Sequence, residues 1–460
     1  MSEISKKRFA FVGLGHRAGN FLAELAGRYA ADAEIVGFCD LSRVRMETQA
    51  RWLTERFGTP PVPCYPAEAF DRMVREQRPT TVIVTTIDGL HHTYIVRALE
   101  LGCDVITEKP MTTDAEKCRT ILAAVERHPE RKVAVAFNYR WAPPNTKVRE
   151  LLAADTIGPV RSVNLEWLLD VKHGADYFRR WHSEKNASGG LLVHKATHHF
   201  DLVNWWLDAL PETVFAMGGL MFYGRENAVA RGEEARTVYP RYTGEAAAVS
   251  DPFRLDLSSN ERFKALYLEA EDETGYIRDR NVFRAGIDIE DNISVLVRYR
   301  GGALLTYTLN AFSSREGMRV VFNGDRGRLE YYLFEKSNPR KRENDEGFLS
   351  SAEKKSAGPR HATERAFIRV YPHFGAAYDV ALTLGRGGHW GGDEPMWRNF
   401  FSANPPAEMF GRDAGPAAGA ASILVGVAAN QSLAQGATVR IDDLIPLAPE
   451  AKTLSQLSRR

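Results

Sequence analysis

A glycine-rich motif between a predicted strand and a predicted helix constrains the fold of this chain more than any other feature. Arg8–Val12 are apolar enough for a buried strand, and residues 13–19 (GLGHRAG), which follow directly, have the pattern GxGxxG. Apolar residues then recur at helical spacing from Phe21 to Tyr29. Such a turn lets a pyrophosphate approach the backbone at a helix N-terminus, so the segment predicts a dinucleotide site.

A second predicted strand, Glu34–Cys39, ends at Asp40, about 20 residues beyond the last glycine of the motif. A carboxylate at this position accepts the hydroxyls of the adenosine ribose and repels the 2′-phosphate of NADP. We therefore expect NAD as the cofactor, and Arg43 nearby keeps NADP open as the alternative. Strand and helix patterns alternate as far as Lys132–Phe137, which predicts a doubly wound parallel sheet, a Rossmann domain, over residues 1–140.

Polar residues stand at or just beyond the ends of these predicted strands, where sheets of this kind bind their ligands. We expect contacts with the cofactor from ten positions: Gly13, Gly15, His16, Arg17, Asp40, Thr85, His91, Glu108, Lys109 and Asn138.

The run 188–201 (SGGLLVHKATHHFD) holds three of the 12 histidines of the chain within six residues. In one continuous helix, His194, His198 and Asp201 would share a face, because residues three and four apart are neighbours. Histidine exchanges protons near neutral pH, so the run predicts proton transfer, with Asp201 orienting a histidine.

Two other interpretations of this run stay open on the sequence. His194 and His198 have the spacing of zinc ligands, with His199, Asp201 or His182 as a third. Lys195 stands where metalloprotease helices carry a glutamate, and an ammonium beside a divalent ion is unfavourable, so we expect no metal. Alternatively, the histidines are satisfied core residues, although burying several ionisable groups is costly.

The order and spacing of six segments resemble the Gfo/Idh/MocA family of nicotinamide-dependent oxidoreductases, which act mainly on sugars, inositols and their derivatives. The segments are GLGHRAG (13–19), TTIDGLHHTYIVRALELGCDVITEKPM (85–111), NYRWAPPNTKVRELL (138–152), SGG…THHFD (188–201), EDNISVLVRYRGGALLTYTL (290–309) and HWGGD (389–393). The resemblance implies that Lys109 of EKP and His198 flank the substrate beside the nicotinamide. His198 would take the proton of a sugar hydroxyl, and Lys109 would stabilise the developing alkoxide.

The chain departs from the usual family pattern four residues before this histidine. The family has an aspartate there, whereas this chain has His194, a third catalytic candidate, followed by Lys195. Some relatives are glycosidases that oxidise the sugar transiently with a tightly held NAD, eliminate the aglycone and return the hydride. Oxidation of a secondary hydroxyl is the leading expectation, a redox glycosidase is the alternative, and a non-catalytic NAD(H)-sensing regulator is the second alternative.

A carbohydrate or cyclic polyol substrate needs aromatic faces for its ring and polar groups for its hydroxyls. We expect these from eight residues: Lys195, His199, Arg140, Tyr139, Tyr177, Arg180, Trp181 and His389.

After Pro159 the pattern changes to longer strands that alternate in part, such as Val160–Val171 and Ile293–Tyr299. Residues 141–385 are therefore expected to form an α+β C-terminal domain with a mostly antiparallel open sheet. Polar insertions are predicted near 224–255 and 335–365, the second as a solvated loop, and either is a candidate lid. Helices in 386–460 should pack back onto the domain boundary.

Charge and cysteine usage narrow the choice of partners and compartment. The chain has 60 Lys+Arg against 59 Asp+Glu, a net charge of +1, which gives no electrostatic case for nucleic acid or a membrane as partner. The four cysteines form no CxxC pair, and the first residues lack an apolar signal core, so we expect a cytoplasmic protein. We also expect a homo-oligomer formed through the open sheet.

Overall fold

The computed structural model describes residues 6–337, 366–385 and 388–457. Most of the charged insertion predicted at 335–365 therefore lies outside the described residues. The described chain contains two sheets, one of six strands and one of nine.

The first sheet is parallel throughout, with strand order β3-β2-β1-β4-β5-β6. This confirms the predicted Rossmann sheet; the short strand β3 was missed by the sequence pattern. The order reverses between β1 and β4, which opens a crevice at the carboxyl ends of these strands. Its strands are β1 (Lys7–Val12), β2 (Ala33–Asp40), β3 (Cys64–Pro66), β4 (Thr81–Val84), β5 (Asp104–Thr107) and β6 (Val133–Val135), and its helices are α1 (His16–Ala26), α2 (Arg43–Phe57), α3 (Phe70–Gln77), α4 (His91–Glu100) and α5 (Ala115–Arg127).

The strand β1 shows why these strands read as continuous apolar runs. Phe9 and Phe11 pack into one hydrophobic cluster, and Ala10 and Val12 pack into another on the opposite face of the sheet. Helices cover both faces, so neither set of side chains can be polar.

The second sheet has the order β14-β13-β12-β11-β7-β10-β9-β8-β15. Neighbouring strands are antiparallel except for the parallel pair β7 and β10, which confirms a mostly antiparallel sheet. The strands are β7 (Val160–Asp170), β8 (Pro211–Gly219), β9 (Asn292–Tyr299), β10 (Leu304–Ser313), β11 (Arg315–Gly324), β12 (Gly327–Ser337), β13 (Ala366–Pro372), β14 (Tyr378–Val380) and β15 (Val439–Arg440).

Most of the remaining helices join or cover one side of this sheet, whereas the helix at Asp393–Phe401 packs against Phe9 and Phe21 of the first domain. The remaining helices are α6 (Asn138–Trp141), α7 (Pro143–Ala153), α8 (Val171–Arg179), α9 (Lys185–Ser188), α10 (Gly190–His194), α11 (Thr197–Leu207), α12 (Arg225–Ala230), α13 (Glu261–Phe263), α14 (Glu271–Thr274), α15 (Asp393–Phe401), α16 (Pro416–Gln435), α17 (Ile441–Leu444) and α18 (Leu454–Leu457).

The histidine-rich run is divided between two helices, so the expectation of one continuous helix is wrong. The helix α10 ends at His194, Lys195 and Ala196 form a turn, and α11 begins at Thr197. The side chains of His194 and His198 consequently meet different partners.

The helix α16 packs closely against both parts of the chain. A Cβ added at Gly419 would lie 2.8 Å from the sulfur of Met111 in the first domain, and one at Gly426 would lie 2.4 Å from the carbonyl oxygen of Leu192 in α10. This helix is long and apolar enough to cross a membrane, but 72% of its most apolar window is buried inside the protein. Its composition therefore suits a core helix.

Candidate active site

Lys109, His194 and Asp88 come together where the first sheet faces the second domain. The Nζ atom of Lys109 donates to the carbonyl oxygen of His194 at 3.1 Å and lies 3.5 Å from its ring Nε2. On the other side of the ring, Nδ1 lies 2.5 Å from a carboxylate oxygen of Asp88, which follows strand β4. The family pattern has an aspartate at the position of His194. Here that position is a histidine, and a carboxylate from the first domain, Asp88, binds it.

Burial sets the protonation of this cluster. It lowers the pKa of Lys109 to about 8, with Asp88 and Glu108 opposing the shift. Burial likewise lowers the pKa of His194 well below its usual range, and the Lys109 charge adds to the effect. Burial raises the pKa of Asp88, against the pull of Lys109. The imidazole is therefore neutral at pH 7, and Lys109 titrates close to neutrality.

His198 lies beside a second group of side chains. Its ring stacks on Tyr139 with centroids 4.2 Å apart, and its Nδ1 is buried without a hydrogen-bond partner. Burial, together with the charges of Lys109 and Lys195, lowers its pKa well below the usual range. A neutral imidazole with an uncommitted nitrogen is able to accept a proton.

Lys195 and His199 are held by aromatic side chains. Lys195 donates to the Tyr139 hydroxyl at 3.2 Å, and its Nζ lies 4.7 Å from the ring centre of Trp167. His199 is fully buried, stacks on Trp167 and lies with Nδ1 2.8 Å from the Tyr307 hydroxyl. The structure therefore places His199 in the core between α11 and the sheet, where burial and the charges of Lys195 and Lys109 lower its pKa.

Arg140 and Asp201 form a buried bidentate ion pair. The Arg140 Nε and Nη2 atoms donate to the two Asp201 oxygens at 2.7 and 2.6 Å, and Nη1 donates to the carbonyl oxygen of Gly411. The expectation that Asp201 orients a histidine is wrong. Three of the five N–H groups of Arg140 are therefore used within the protein, one on each nitrogen.

The dinucleotide loop has the geometry that its motif predicts. Gly13 has φ +87°, and a Cβ there would lie 2.6 Å from the backbone nitrogen of Thr86, so only glycine fits between the strands. Asp40 is held by the backbone N–H groups of Leu14 and Ser42 at 2.5 and 2.8 Å. These residues fit an adenosine ribose at Asp40 and a pyrophosphate over the loop.

Three other predicted cofactor residues are held by hydrogen bonds within the chain. Thr85 donates to the carbonyl oxygen of Gly13 at 2.6 Å, and Arg17 donates to Glu108 at the same distance. His91 is fully buried, with its ring nitrogens 2.8 and 3.2 Å from the carbonyl oxygens of Pro110 and Thr86. His91 therefore ties two loops together instead of facing the crevice.

Asn138 and His389 share one carboxylate. The amide of Asn138 donates to Asp393 at 2.8 Å, and His389 Nδ1 lies 2.9 Å from the other Asp393 oxygen. Burial would raise the pKa of Asp393, but His389, Arg17 and Asn138 lower it. The side-chain amide oxygen of Asn138, Oδ1, is buried without a partner, so it can accept a hydrogen bond from a bound group.

Three predicted substrate residues surround His194. Tyr177 and Trp181 lie with ring centroids 5.6 and 5.8 Å from the His194 ring. Arg180 forms an ion pair with Asp176 at 2.9 Å and covers the Tyr177 ring. Across the part of the chain that the structure describes, no group of three or more His, Cys, Asp or Glu side chains could hold a metal ion.

Two family descriptions match the chain in consecutive segments. The oxidoreductase family NAD-binding Rossmann fold matches residues 7–137, and the oxidoreductase family C-terminal alpha/beta domain matches residues 149–441. The chain belongs to the Gfo/Idh/MocA family. Membership makes it an oxidoreductase with a nicotinamide cofactor, which confirms the resemblance read from the motifs.

Among the relatives and solved structures of this Gfo/Idh/MocA chain, some cover nearly its whole length and others less than half. It is 36% identical over 459 residues to YteT of Bacillus subtilis (strain 168), a protein named as an oxidoreductase, covering 96% of this chain and 99% of YteT. It is 24% identical over 216 residues to inositol 2-dehydrogenase of Rubrobacter xylanophilus, and the match covers 45% of this chain and 54% of that protein. The fold matches aldose-aldose oxidoreductase from Caulobacter crescentus complexed with glycerol, with a TM-score of 0.59 and 16% identity. The match covers 95% of this chain and 100% of that structure.

Three residues that the sequence did not single out for the site lie within it. Asp88 binds His194, Asp393 joins Asn138 to His389, and Asp176 pairs with Arg180. His182, which the sequence offered only as a third zinc ligand, stacks on Trp181. Asp88 comes only three residues after Thr85 beyond a strand end, which was a usable signal. The others follow from tertiary contacts alone.

Proposed function

We propose that this Gfo/Idh/MocA protein oxidises a secondary hydroxyl of a sugar, sugar derivative or cyclic polyol with NAD. The observation that carries the proposal is the Lys109–His194–Asp88 contact at the crevice. It places a lysine with a pKa of about 8 beside groups able to exchange protons with it. The inositol dehydrogenase relative supports a polyol or carbohydrate as the substrate class.

The nicotinamide would accept the hydride. The chain would hold the dinucleotide at both ends, by Asp40 at the adenosine ribose and by Asn138 at the nicotinamide. Asp40 supports NAD over NADP, because its buried carboxylate lies where a 2′-phosphate would be repelled. The unpartnered side-chain oxygen of Asn138 is suited to accept a hydrogen bond from the carboxamide of the nicotinamide.

Proton handling is divided between His198 and Lys109, with His194 in a positioning role. His198, neutral and with an uncommitted nitrogen, takes the proton from the substrate hydroxyl. Lys109 stabilises the developing oxyanion and exchanges protons with it. His194, held by Asp88, fixes the direction of the Lys109 ammonium through its carbonyl oxygen and ring.

The walls of the cleft suit a hydroxylated ring. Tyr177 and Trp181 offer aromatic faces beside His194, and Arg180, Lys195, Tyr139 and His389 offer polar groups. The reduced thiols and the ordinary charge balance agree with a cytoplasmic enzyme.

One observation favours a redox glycosidase as the second candidate. Elimination of an aglycone needs an acid at the leaving oxygen and a separate base at the carbon next to the ketone. The chain carries two imidazoles, His194 and His198, with different partners in the same site.

A screen of sugars, inositols and aryl glycosides with NAD separates these functions. Stoichiometric NADH with an oxidised sugar supports the proposal, whereas release of aglycone without net NADH refutes it in favour of the glycosidase. NAD binding without turnover of any compound would favour a regulator that senses NAD(H).

Substitution of His198 tests its assigned role. His198→Asn should lose about 10²–10⁴-fold in kcat and keep its affinity for NAD, because the residue acts on the substrate proton. His373→Gln, at an exposed histidine in the turn after β13, is the matched control and should stay at the wild-type rate. Near-normal kcat in His198→Asn would remove His198 as the base.

We also propose that copies of the chain associate through the open face of the second sheet. This face exposes Leu296 and Leu304 at 52% and 47%, and Met217 on the neighbouring strand at 67%. The mass measured by light scattering should be that of an oligomer for wild type and that of a smaller species for Leu296→Lys. A monomeric wild type would refute the proposal.

A further inference from the structure

Residues 256–278 of the second domain form a separate small unit, which we call the clamp segment. Leu257, Phe263, Leu266 and Tyr267 pack into a hydrophobic cluster of their own, distinct from the two main clusters. The segment includes α13, a π-helical turn at Lys264–Leu268 and α14. The sequence pattern predicted no role for it.

The clamp segment lies on the dinucleotide loop. The backbone N–H of His16, which belongs to the GxGxxG motif, donates to the Tyr267 hydroxyl at 3.0 Å. Phe263 packs edge-on against the His16 ring at 5.0 Å. Arg262 donates to Gln49 at 2.9 Å and lies so close to α1 that a Cβ at Gly19 would meet it at 2.3 Å.

The other end of the clamp segment meets the start of α2, beside the ribose-binding acid. Glu273 accepts from the Ser42 hydroxyl at 2.5 Å and from the backbone N–H of Val44 at 3.2 Å. Ser42 also donates its own N–H to Asp40. Two carboxylates, Asp40 and Glu273, therefore stand at the position where the dinucleotide pattern puts the adenosine ribose.

Positive charge accumulates between the loop and His194. Asp176 is nearly fully buried, yet three arginines share it: Arg278 and Arg180 at 2.9 Å and Arg179 at 3.5 Å. Arg278 lies over the Tyr267 ring at 5.7 Å. One carboxylate offsets only part of this charge, so the region is suited to an anion.

Two buried polar atoms at the same place have no partner. They are the Nδ1 atom of His16 and the hydroxyl of Tyr276, whose ring lies 6.1 Å from that of Tyr267. Unpartnered buried polar groups are costly and mark places where a bound group completes the hydrogen bonding. Excess positive charge and free hydrogen-bonding atoms together suit a pyrophosphate.

We propose that the clamp segment covers bound NAD(H) and slows its release, with Tyr267 and Arg278 at the pyrophosphate and Glu273 closing the ribose end against a 2′-phosphate. The proposal rests on the cofactor half of the proposed function and is independent of the sugar substrate. The clamp segment meets the first domain through hydrogen bonds and ring contacts, while its apolar residues keep a cluster of their own.

The test measures NADH binding by calorimetry and NADH release by stopped-flow fluorescence on the full chain. Tyr267→Phe should raise the release rate about tenfold, the loss typical of one hydrogen bond to a charged group. Glu273→Gln should lower the ratio of the NADPH to the NADH dissociation constant several-fold. Glu269→Gln, an exposed glutamate of the same segment paired with Lys264, is the matched control and should leave both unchanged.

Unchanged or slower NADH release in Tyr267→Phe, with wild-type thermal stability, would overturn the clamp. Hydrogen exchange on the wild-type chain adds a measurement that needs no variant, and NADH should protect residues 256–278; no protection there would also overturn it. A wild type that binds no NADH would refute both proposals, whereas NADH retention without sugar oxidation would refute only the proposed reaction.

Discussion

Replacing Lys109 with methionine should produce a stability change that depends on pH. Burial lowers the pKa of Lys109 from 10.5 to about 8. One pKa unit corresponds to about 1.4 kcal/mol, so carrying the ammonium costs the folded state about 3 kcal/mol. Because the folded-state pKa is the lower one, this cost is present in full below about pH 8 and fades as the pH rises towards 10.5.

Methionine has a similar length and no charge, so Lys109→Met removes this cost, together with the charge that lowers the pKa of Asp88 and of His194. Because the cost applies only to wild type, the stability of the variant relative to wild type should fall by about 2–3 kcal/mol between about pH 7 and about pH 10. Urea unfolding of both proteins at the two pH values measures this difference of differences. The variant should also lose at least about 100-fold in kcat at either pH.

Two results would refute this reasoning. If the stability difference between Lys109→Met and wild type is the same at both pH values, the pKa of Lys109 is not lowered in the folded protein. If kcat stays within a few-fold of wild type, Lys109 does not act on the substrate. Lys147→Met, a partly exposed lysine on α7, serves as the control and should show neither effect.

Three further substitutions test the cofactor preference and the packing. Asp40→Asn should lower the preference for NAD over NADP about tenfold or more in binding titrations, because it removes the charge that repels a 2′-phosphate; an unchanged ratio would contradict this. Arg140→Met should cost about 3–5 kcal/mol in urea unfolding by leaving Asp201 buried without its partner, and a loss below about 1 kcal/mol would contradict it. Gly174→Ala should cost about 1–3 kcal/mol, since a Cβ there would lie 1.7 Å from the carbonyl oxygen of Ala311, whereas Gly301→Ala, with open space around it, should be nearly neutral.

The first domain could be predicted from the sequence because its rules are local. The GxGxxG turn, the strand before it and the acid after the second strand each follow from neighbouring residues. The single helix expected for 188–201 was wrong, since periodicity does not reveal the turn at Lys195 and Ala196. Asp201 was assigned to a histidine because only its sequence neighbours were visible; its partner, Arg140, lies 61 positions away.

The sequence by itself determined the family, the parallel sheet, the dinucleotide loop and the presence of Lys109 and the histidines near one another. Only the tertiary structure decided which groups face each other: Asp88 with His194, and the clamp segment with the dinucleotide loop. The physical reason is one of range. Strand periods and glycine turns depend on residues a few positions apart. Ion pairs and pKa shifts depend on burial and contacts between distant segments, 61 positions apart for Arg140 and Asp201 and 106 for Asp88 and His194.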